Sequence, residues 1–297
     1  MSITAKEVNE LRKKTGAGMM DCKKALTESN GDMESAIDFL RKKGQKIAAK
    51  RGDREASEGL VIAKSNDDSG YLLCLNCETD FVAKNKDFGN LANSLMDLAI
   101  QNNVQSLDEF MNQNYLDSGL KISEKIIEQS GVIGEKIEIS AFEKITAKKV
   151  VAYNHPGNQI ASIIGLTLDE EEVGKQIAMQ VAAMNPIALD QESVTQDIID
   201  RELEVGKELA IQEGKPADMA EKIAKGRLNK FFKETTLINQ VFVRDNKKTV
   251  GQFLKETNPN LKVTDFKRCS LSVYKLLIIF REHLALFFFV LNFNYEV

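Results

Sequence analysis

The sequence predicts an α+β protein in which a small three-helix domain precedes a two-part mixed core. Three observations support this fold class. Apolar residues recur at helical spacing through residues 1–45, strand-like segments flank clusters of turn residues, and a hairpin followed by a helix occurs twice. A chain of 297 residues is long enough for two or three domains with a sizeable core.

The composition excludes several classes of protein. With 40 basic and 44 acidic side chains, 43% hydrophobic residues and only 4 prolines, the chain is neither disordered, collagenous nor a disulfide scaffold. The slight acidic excess offers no basic face, so we expect no direct binding of nucleic acid. Four scattered cysteines and a start without a signal or transit peptide fit a cytoplasmic protein with no membrane association.

Three short helices are predicted over residues 1–45, which we expect to form one domain. Thr4 and Glu7 have the spacing of a capping box at the start of the first helix. The second helix should span residues 18–28, and the third should end at Gly44 because glycine commonly terminates helices.

A linker rich in Lys, Arg and Ala, either irregular or part-helical, is predicted over residues 46–58. The N-terminal half of the core, residues 59–145, should begin with strands over 60–64 and 71–76. These strands flank a cluster of turn residues, and a helix over 87–101 follows them.

The rest of this half is predicted as a helix, a turn and a strand. Residues 123–129 have a helical pattern, residues 131–134 contain two glycines that indicate a turn, and residues 136–145 fit a strand.

The C-terminal half of the core, residues 146–271, repeats the hairpin-then-helix pattern. Strands are expected near 150–154 and 159–166, and a helix near 170–184. A charged helical stretch over 193–236 then breaks once, which predicts an antiparallel helical hairpin. This hairpin either contacts a partner or is a packed pair of surface helices without one.

Candidate chemistry is sparse. Cys74 and Cys77 form the one CxxC motif, but a zinc site needs a second pair of ligands and the only histidines are His155 and His283. Phosphate-binding loops and the common hydrolase motifs are also missing from the sequence. We therefore expect a binding protein without a cofactor or metal, with a thiol oxidoreductase or an enzyme that uses carboxylates alone as the enzyme alternatives.

The segment Glu78–Lys84 combines an aromatic residue with Thr-Asp and Lys at the end of a predicted strand. Phe81 could point outward and fill an apolar crevice of a partner while the adjacent carboxylate redirects polar contacts. Alternatively, Thr79 or Asp80 caps a helix and Phe81 is an ordinary core residue.

Two long motifs resemble the bacterial elongation factor Ts family. They are LRKKTGAGMMDCKKAL at 11–26 and ETDFVA at 78–83. Shorter matches follow in the family's order at 214–216, 220–227, 242–243 and 248–251.

The resemblance implies a guanine nucleotide exchange factor for elongation factor Tu in translation. Such a factor binds the GDP-bound partner, dislodges magnesium, promotes GDP release and stabilises the nucleotide-free state until GTP binds. It also implies a ubiquitin-associated-like N-terminal domain and a protruding helical hairpin.

The magnesium-dislodging motif of the family falls on Thr79, Asp80, Phe81 and Val82. Its partner-binding residues fall on Lys23, Arg51, Ile133, Gly134, His155, Val243 and Arg244. The alternative is a helical adaptor that binds ubiquitin-like or other helical partners through its N-terminal domain.

Residues 272–297 form an atypical hydrophobic tail. From Val273 onward 18 of 25 residues are hydrophobic, but Arg281–His283 interrupts them, and a bilayer span needs about 20 apolar residues. We expect the natural reading frame to end near Leu271–Val273. A transmembrane helix and a partner-binding or core-packing helix are the alternatives.

Overall fold

The computed structural model describes residues 3–271, so the predictions for the tail lie outside the described residues. The helices are α1 (Ala5–Thr15), α2 (Met19–Glu28), α3 (Met33–Arg51), α4 (Asp80–Ala83), α5 (Lys86–Gln101), α6 (Leu107–Asn112), α7 (Ile122–Ile133), α8 (Glu171–Met184), α9 (Gln196–Gln212), α10 (Ala217–Thr235) and α11 (Val250–Thr257). The strands are β1 (Glu58–Ser65), β2 (Ser69–Cys77), β3 (Glu138–Thr146), β4 (Lys149–Asn154), β5 (Ile160–Leu166), β6 (Val241–Phe242), β7 (Asp245–Thr249) and β8 (Val263–Ser270).

The predicted α+β class is confirmed. Two three-stranded sheets have the orders β1-β2-β3 and β4-β5-β8, and β6 pairs with β7. Strands β4 and β5 are antiparallel, with Lys149 opposite Leu166 and Asn154 opposite Ala161. Both predicted hairpin-then-helix units are present, as β1-β2 with α5 and β4-β5 with α8.

The described chain divides into two compact units. The first contains the residues up to Ile62, Leu73–Glu143 and the segment from Cys269, and the second contains Ala63–Leu72 and Lys144–Arg268. The domain boundaries drawn from the sequence stay predictions.

The N-terminal helices follow local sequence signals. Thr4 and Glu7 form the predicted capping box on α1, and Gly16 ends that helix in a left-handed conformation (φ 72°). The three helices bury a small apolar core that includes Leu11 and Leu26, both fully buried. The predicted three-helix arrangement is therefore confirmed.

Two glycine-based predictions are wrong. Helix α3 continues past Gly44 to Arg51, so the first part of the predicted linker is helical. Helix α7 likewise runs through Gly131 to Ile133, where a turn was expected. The two glycines face each other: a Cβ at position 131 would lie 2.2 Å from the Gly44 Cα. Their role is close approach of two helices, which offsets the weak helix propensity of glycine.

The predicted helical hairpin is confirmed in α9 and α10, which join at Gly214–Pro216. A seam of small residues lets the helices approach closely, since a Cβ on Gly206 would lie 3.2 Å from the Ala224 Cα. Near the turn, Arg227 Nη2 contacts both carboxylate oxygens of Glu213 at 2.7 and 2.9 Å. The hairpin is thus fixed by packing along its length and by an ion pair near its tip.

Candidate functional site

The motif Thr79–Val82 lies at the end of β2 and the start of α4, in a stretch we call the Phe81 segment (Glu78–Lys84). Thr79 caps α4, because its hydroxyl oxygen accepts a hydrogen bond from the Val82 N–H at 3.4 Å. The Phe81 side chain is 82% exposed. The sequence alternative that placed a cap here was right about the cap, but Phe81 is not a core residue.

Asp80 is ionised beside this exposed ring. The Lys84 ammonium donates to Asp80 Oδ2 at 2.6 Å. This hydrogen bond and the charge of Lys84 hold the pKa of Asp80 below its ordinary value. The segment therefore presents an apolar ring directly next to a carboxylate at neutral pH.

Glu135, which follows the end of α7, holds the start of the segment. Its carboxylate accepts hydrogen bonds from the Glu78 N–H at 3.1 Å and the Thr79 N–H at 3.0 Å. The Thr79 hydroxyl donates to the other carboxylate oxygen at 2.7 Å. One side chain thus satisfies three donors at the point where β2 ends.

Glu78 in turn bonds to the residue that follows Glu135 and to the end of α3. Its carboxylate accepts from the Lys136 N–H at 2.6 Å and from Arg51 Nη1 at 2.7 and 2.8 Å. Burial raises the pKa of Glu78, but the Lys136 N–H and the Arg51 guanidinium outweigh it, so the net pKa lies below the ordinary value. Arg51, expected to contact a partner, is therefore engaged within the chain, with 31% of its side chain exposed.

A groove of about 400 Å³, the first groove, adjoins the Phe81 segment. It brings together two of the predicted site residues, Val82 and Ile133. Gly134 directly follows and ends α7 in a left-handed conformation (φ 81°), which glycine adopts without strain. The lining residues are Gly16, Val82, Asn85, Asp87, Phe88, Gln129, Val132 and Ile133.

Lys23 lies on the surface of α2 and does not line the first groove. Met19 and Met20, four and three positions earlier on the same helix, are 54% and 75% exposed. Methionine adapts to irregular partner surfaces. Lys23 is therefore part of an exposed apolar and basic patch that its sequence motif alone did not reveal.

A groove of about 420 Å³ in the second unit, the second groove, gathers His155, Val243 and Arg244. His155 Nδ1 shares a hydrogen bond with the Tyr153 hydroxyl at 3.0 Å. The Val243 N–H donates to the buried Gln180 side chain at 2.9 Å. The remaining lining residues are Tyr153, Ile160, Met179, Ala182, Ala183 and Arg268.

Sequence reasoning missed several of these supporting residues. Arg268, which donates from Nε to the Ala182 carbonyl at 3.1 Å, is 86 positions distant from it, so no local pattern connects the two. Glu135 lies 56 positions from Thr79, which is also beyond the reach of a local pattern. Tyr153 could have been found, because it lies on β4 two residues before His155, which directly follows the strand, and residues two apart in extended backbone share a face.

The CxxC cysteines are both buried. Cys74 Sγ donates to Asn76 Oδ1 and Cys77 Sγ to the Thr79 carbonyl, each at 3.2 Å. Burial, together with the Glu135 carboxylate, raises the pKa of Cys77 to about 12, so this thiol is a poor nucleophile.

Residues 3–271 contain neither a candidate metal site nor a helix that could span a membrane. No cluster of three or more His, Cys, Asp or Glu side chains in this range is arranged to hold a metal ion. No helix in the described part of the chain is both long and apolar enough to cross a bilayer.

An exposed aromatic ring on a firmly held segment, together with two open grooves, defines a class of protein: an α+β protein shaped for contact with another protein. The profile of the family described as Elongation factor TS matches residues 78–272. Elongation factor Ts of Christiangramia forsetii is 51% identical over 274 residues, covering 91% of this chain and 98% of that relative. Its namesake in Flavobacterium psychrophilum is 49% identical over 275 residues, covering 91% and 99%. The chain therefore belongs to the elongation factor Ts family of translation elongation factors.

Proposed function

We propose that this protein is a guanine nucleotide exchange factor that binds elongation factor Tu, dislodges its magnesium ion and promotes GDP release. The observation that carries the proposal is the 82% exposure of Phe81, on a segment whose backbone is fixed by Glu135. A large apolar side chain kept in water by a rigid support is costly unless a partner covers it.

The exchange reaction requires no covalent step. If the protein binds nucleotide-free elongation factor Tu more tightly than the GDP-bound form, linkage requires that it weaken GDP binding by the same factor. Displacing magnesium removes the largest local positive charge that faces the phosphates. The protein then stabilises the empty partner until GTP binds.

Phe81 supplies free energy for this shift. Complete burial of a phenylalanine side chain is worth about 1.5–3 kcal/mol, or roughly 10- to 150-fold in an equilibrium constant. The ring can favour the empty state only if its crevice is better formed there than in the GDP-bound state. The adjacent Asp80 carboxylate redirects polar contacts beside that crevice, and Thr79 and Val82 complete the magnesium-dislodging motif.

The remaining contacts hold the partner in place. We assign Lys23, Arg51, Ile133 and Gly134 to the partner surface of the first unit. His155, Val243 and Arg244 provide a separate contact through the second groove. The exchange role places the protein in the cytoplasm, with no cofactor of its own.

Release of fluorescent GDP from elongation factor Tu tests the role of Phe81. Phe81→Ala should slow stimulated release by about tenfold or more, since the burial of the ring is lost. Leu116→Ala is the matched control, because Leu116 is 57% exposed but lies outside the Phe81 segment. Equal release rates for the two variants would refute the role of the ring.

A binding measurement separates exchange from the adaptor alternative. An exchange factor must bind nucleotide-free elongation factor Tu more tightly than the GDP-bound form. Size-exclusion chromatography of the mixture with and without excess GDP should therefore show a complex that GDP dissociates. A complex indifferent to GDP would favour a helical adaptor.

A further inference from the structure

In two short stretches of the first unit, a glutamate carboxylate of each stretch accepts hydrogen bonds from backbone N–H groups of the other. Glu78, at the end of β2, places its side chain on the backbone N–H of Lys136 at 2.6 Å. Glu135, one residue before Lys136, places its side chain on the backbone N–H groups of Glu78 and Thr79 at 3.1 and 3.0 Å. We call this reciprocal arrangement the carboxylate clamp.

The Glu135 carboxylate of the clamp binds backbone N–H groups that lie just beyond the end of β2. The Glu78 and Thr79 N–H groups lie beyond the last residue of β2, so the strand ladder does not extend to them. A carboxylate acceptor makes shorter and stronger hydrogen bonds than a neutral carbonyl does. The Thr79 hydroxyl adds a third bond to Glu135 at 2.7 Å, which also orients the cap of α4.

The exposed ring depends on this support. Because Phe81 is 82% exposed, packing contributes little to its orientation. Its direction is set by the backbone two residues after Thr79, whose position the clamp determines. A small displacement there moves the whole ring, and misplacement of a contact group by about 1 Å can cost up to about 100-fold in rate.

The clamp also reaches the N-terminal helices. Arg51 at the end of α3 contacts both oxygens of Glu78 at 2.7 and 2.8 Å. The Glu78 side chain is only 11% exposed, so the guanidinium offsets a charge that water cannot fully solvate. The end of α3 is thereby bonded to the base of the Phe81 segment.

We propose that Glu135 and Glu78 are positioning residues for nucleotide exchange: they fix the backbone from which Phe81 projects toward the partner. This inference rests on the proposed function. Neither residue needs to touch the partner; both act through Phe81.

The first test compares Glu135→Ala, Glu135→Gln and Glu138→Ala across a concentration series with elongation factor Tu. Glu135→Ala should lower the maximal rate of GDP release by about tenfold. Its half-saturating concentration should change by less than about twofold, because the other partner contacts persist. The control Glu138→Ala removes a carboxylate that pairs with Lys136 Nζ at 3.0 Å and should leave both quantities unchanged.

Glu135→Gln distinguishes geometry from charge. The amide oxygen can accept both backbone N–H groups, and the amide NH₂ can donate to the Thr79 hydroxyl oxygen. The maximal rate should therefore stay within about threefold of the wild-type value. A loss as large as that of Glu135→Ala would overturn the clamp as a purely geometric support.

A double-mutant cycle shows whether Glu135 acts through Phe81. Adding Glu135→Ala to Phe81→Ala should slow release by less than about twofold, since the ring to be positioned is gone. Full multiplication of the two effects would overturn the inference. If Phe81→Ala alone has no effect, the proposed function fails instead, so the two failures are distinguishable.

Should Glu135→Ala not fold, Thr79→Val and Thr79→Ser carry the same comparison. Valine removes the 2.7 Å bond to Glu135 and serine retains it. The valine variant alone should lower the maximal rate, and equal rates for both would count against the clamp.

Discussion

The Phe81 segment and the second groove offer their side chains in opposite ways. In the first, an apolar ring stands out in solvent and charged groups fix its backbone. In the second, the residues line a concave surface of about 420 Å³, and a buried amide, Gln180, supports one wall. A single projecting side chain depends on the exact position of the backbone that carries it, whereas contact across a concave surface is shared among several side chains. Substitutions in the first region should therefore alter exchange sharply, and those in the second should alter affinity gradually.

The largest effect on stability is expected at the close contact between α3 and α7, in the unit that carries the Phe81 segment. Gly131→Ala would place a methyl group 2.2 Å from the Gly44 Cα, and the obstacle is backbone rather than a movable side chain. The two helices must separate, which should lower the free energy of unfolding by about 3 kcal/mol. Urea denaturation measures this loss.

Gly226→Ala in α10 is the matched control for that substitution. A Cβ there meets no atom within 4 Å, so alanine should raise stability by up to about 1 kcal/mol. Opposite signs for the two glycines would support the close helix contact, and a stabilised Gly131→Ala would contradict it.

The support of the second groove gives the next largest effect. Gln180 accepts from the Val243 N–H and donates to the Gln240 side chain and the Val241 carbonyl. Gln180→Ala removes all three bonds and leaves the buried Gln240 side-chain oxygen without this donor, which should cost about 2 kcal/mol of stability. Affinity for elongation factor Tu should fall while the maximal rate of GDP release stays constant. The exposed Gln212→Ala is the control, and a fall in maximal rate for Gln180→Ala would erase the distinction between the two regions.

Acid should weaken the first region through Glu78. Its folded-state pKa lies below the ordinary value of 4.5, so its contribution to stability is present above pH 4.5 and is lost as the pH falls through the folded pKa. Glu78→Gln should therefore lower stability at neutral pH and flatten the decline in acid. Thermal melting between about pH 6 and about pH 3 would reveal this, and parallel curves for both proteins would argue against it.

The smallest effect is expected at the rim of the second groove. Tyr153→Phe removes the hydroxyl that shares a 3.0 Å hydrogen bond with His155 Nδ1, so the imidazole ring of His155 is no longer held in one orientation. Affinity for elongation factor Tu should fall by about two- to fivefold. Calorimetric titration measures it, with Tyr115→Phe as control because Tyr115 bonds to Ser94 outside both grooves. A changed maximal rate of GDP release would contradict the assignment.

Local chemistry explains which parts of the fold the sequence could predict. The capping box at Thr4 and Glu7 needs only residues three apart, and both predicted core hairpins have clear apolar strands around turn clusters. Gly44 and Gly131 misled the prediction because a glycine that ends a helix and one that admits a second helix look alike in sequence. Strand β8 was missed because it lacks a regular alternation of buried and exposed residues.

The residues of the candidate site likewise include some that a local sequence pattern predicts and others that only the fold brings together. The motif at Thr79–Val82 was visible because its residues are consecutive. Glu135 was not, because it joins the site across 56 positions from Thr79, a separation that no local pattern spans. The gathering of His155 with Val243 and Arg244 likewise depends on the pairing of strands and helices far apart in sequence.

The burial of all four cysteines has a practical consequence. Maleimide dyes react with accessible thiolates, and the native thiols are withdrawn from solvent, with the pKa of Cys77 raised to about 12. A single cysteine introduced at an exposed position such as Met20 would then be the preferred site of labelling. The native chain thus already provides a low-background scaffold for following its encounter with a partner by energy transfer.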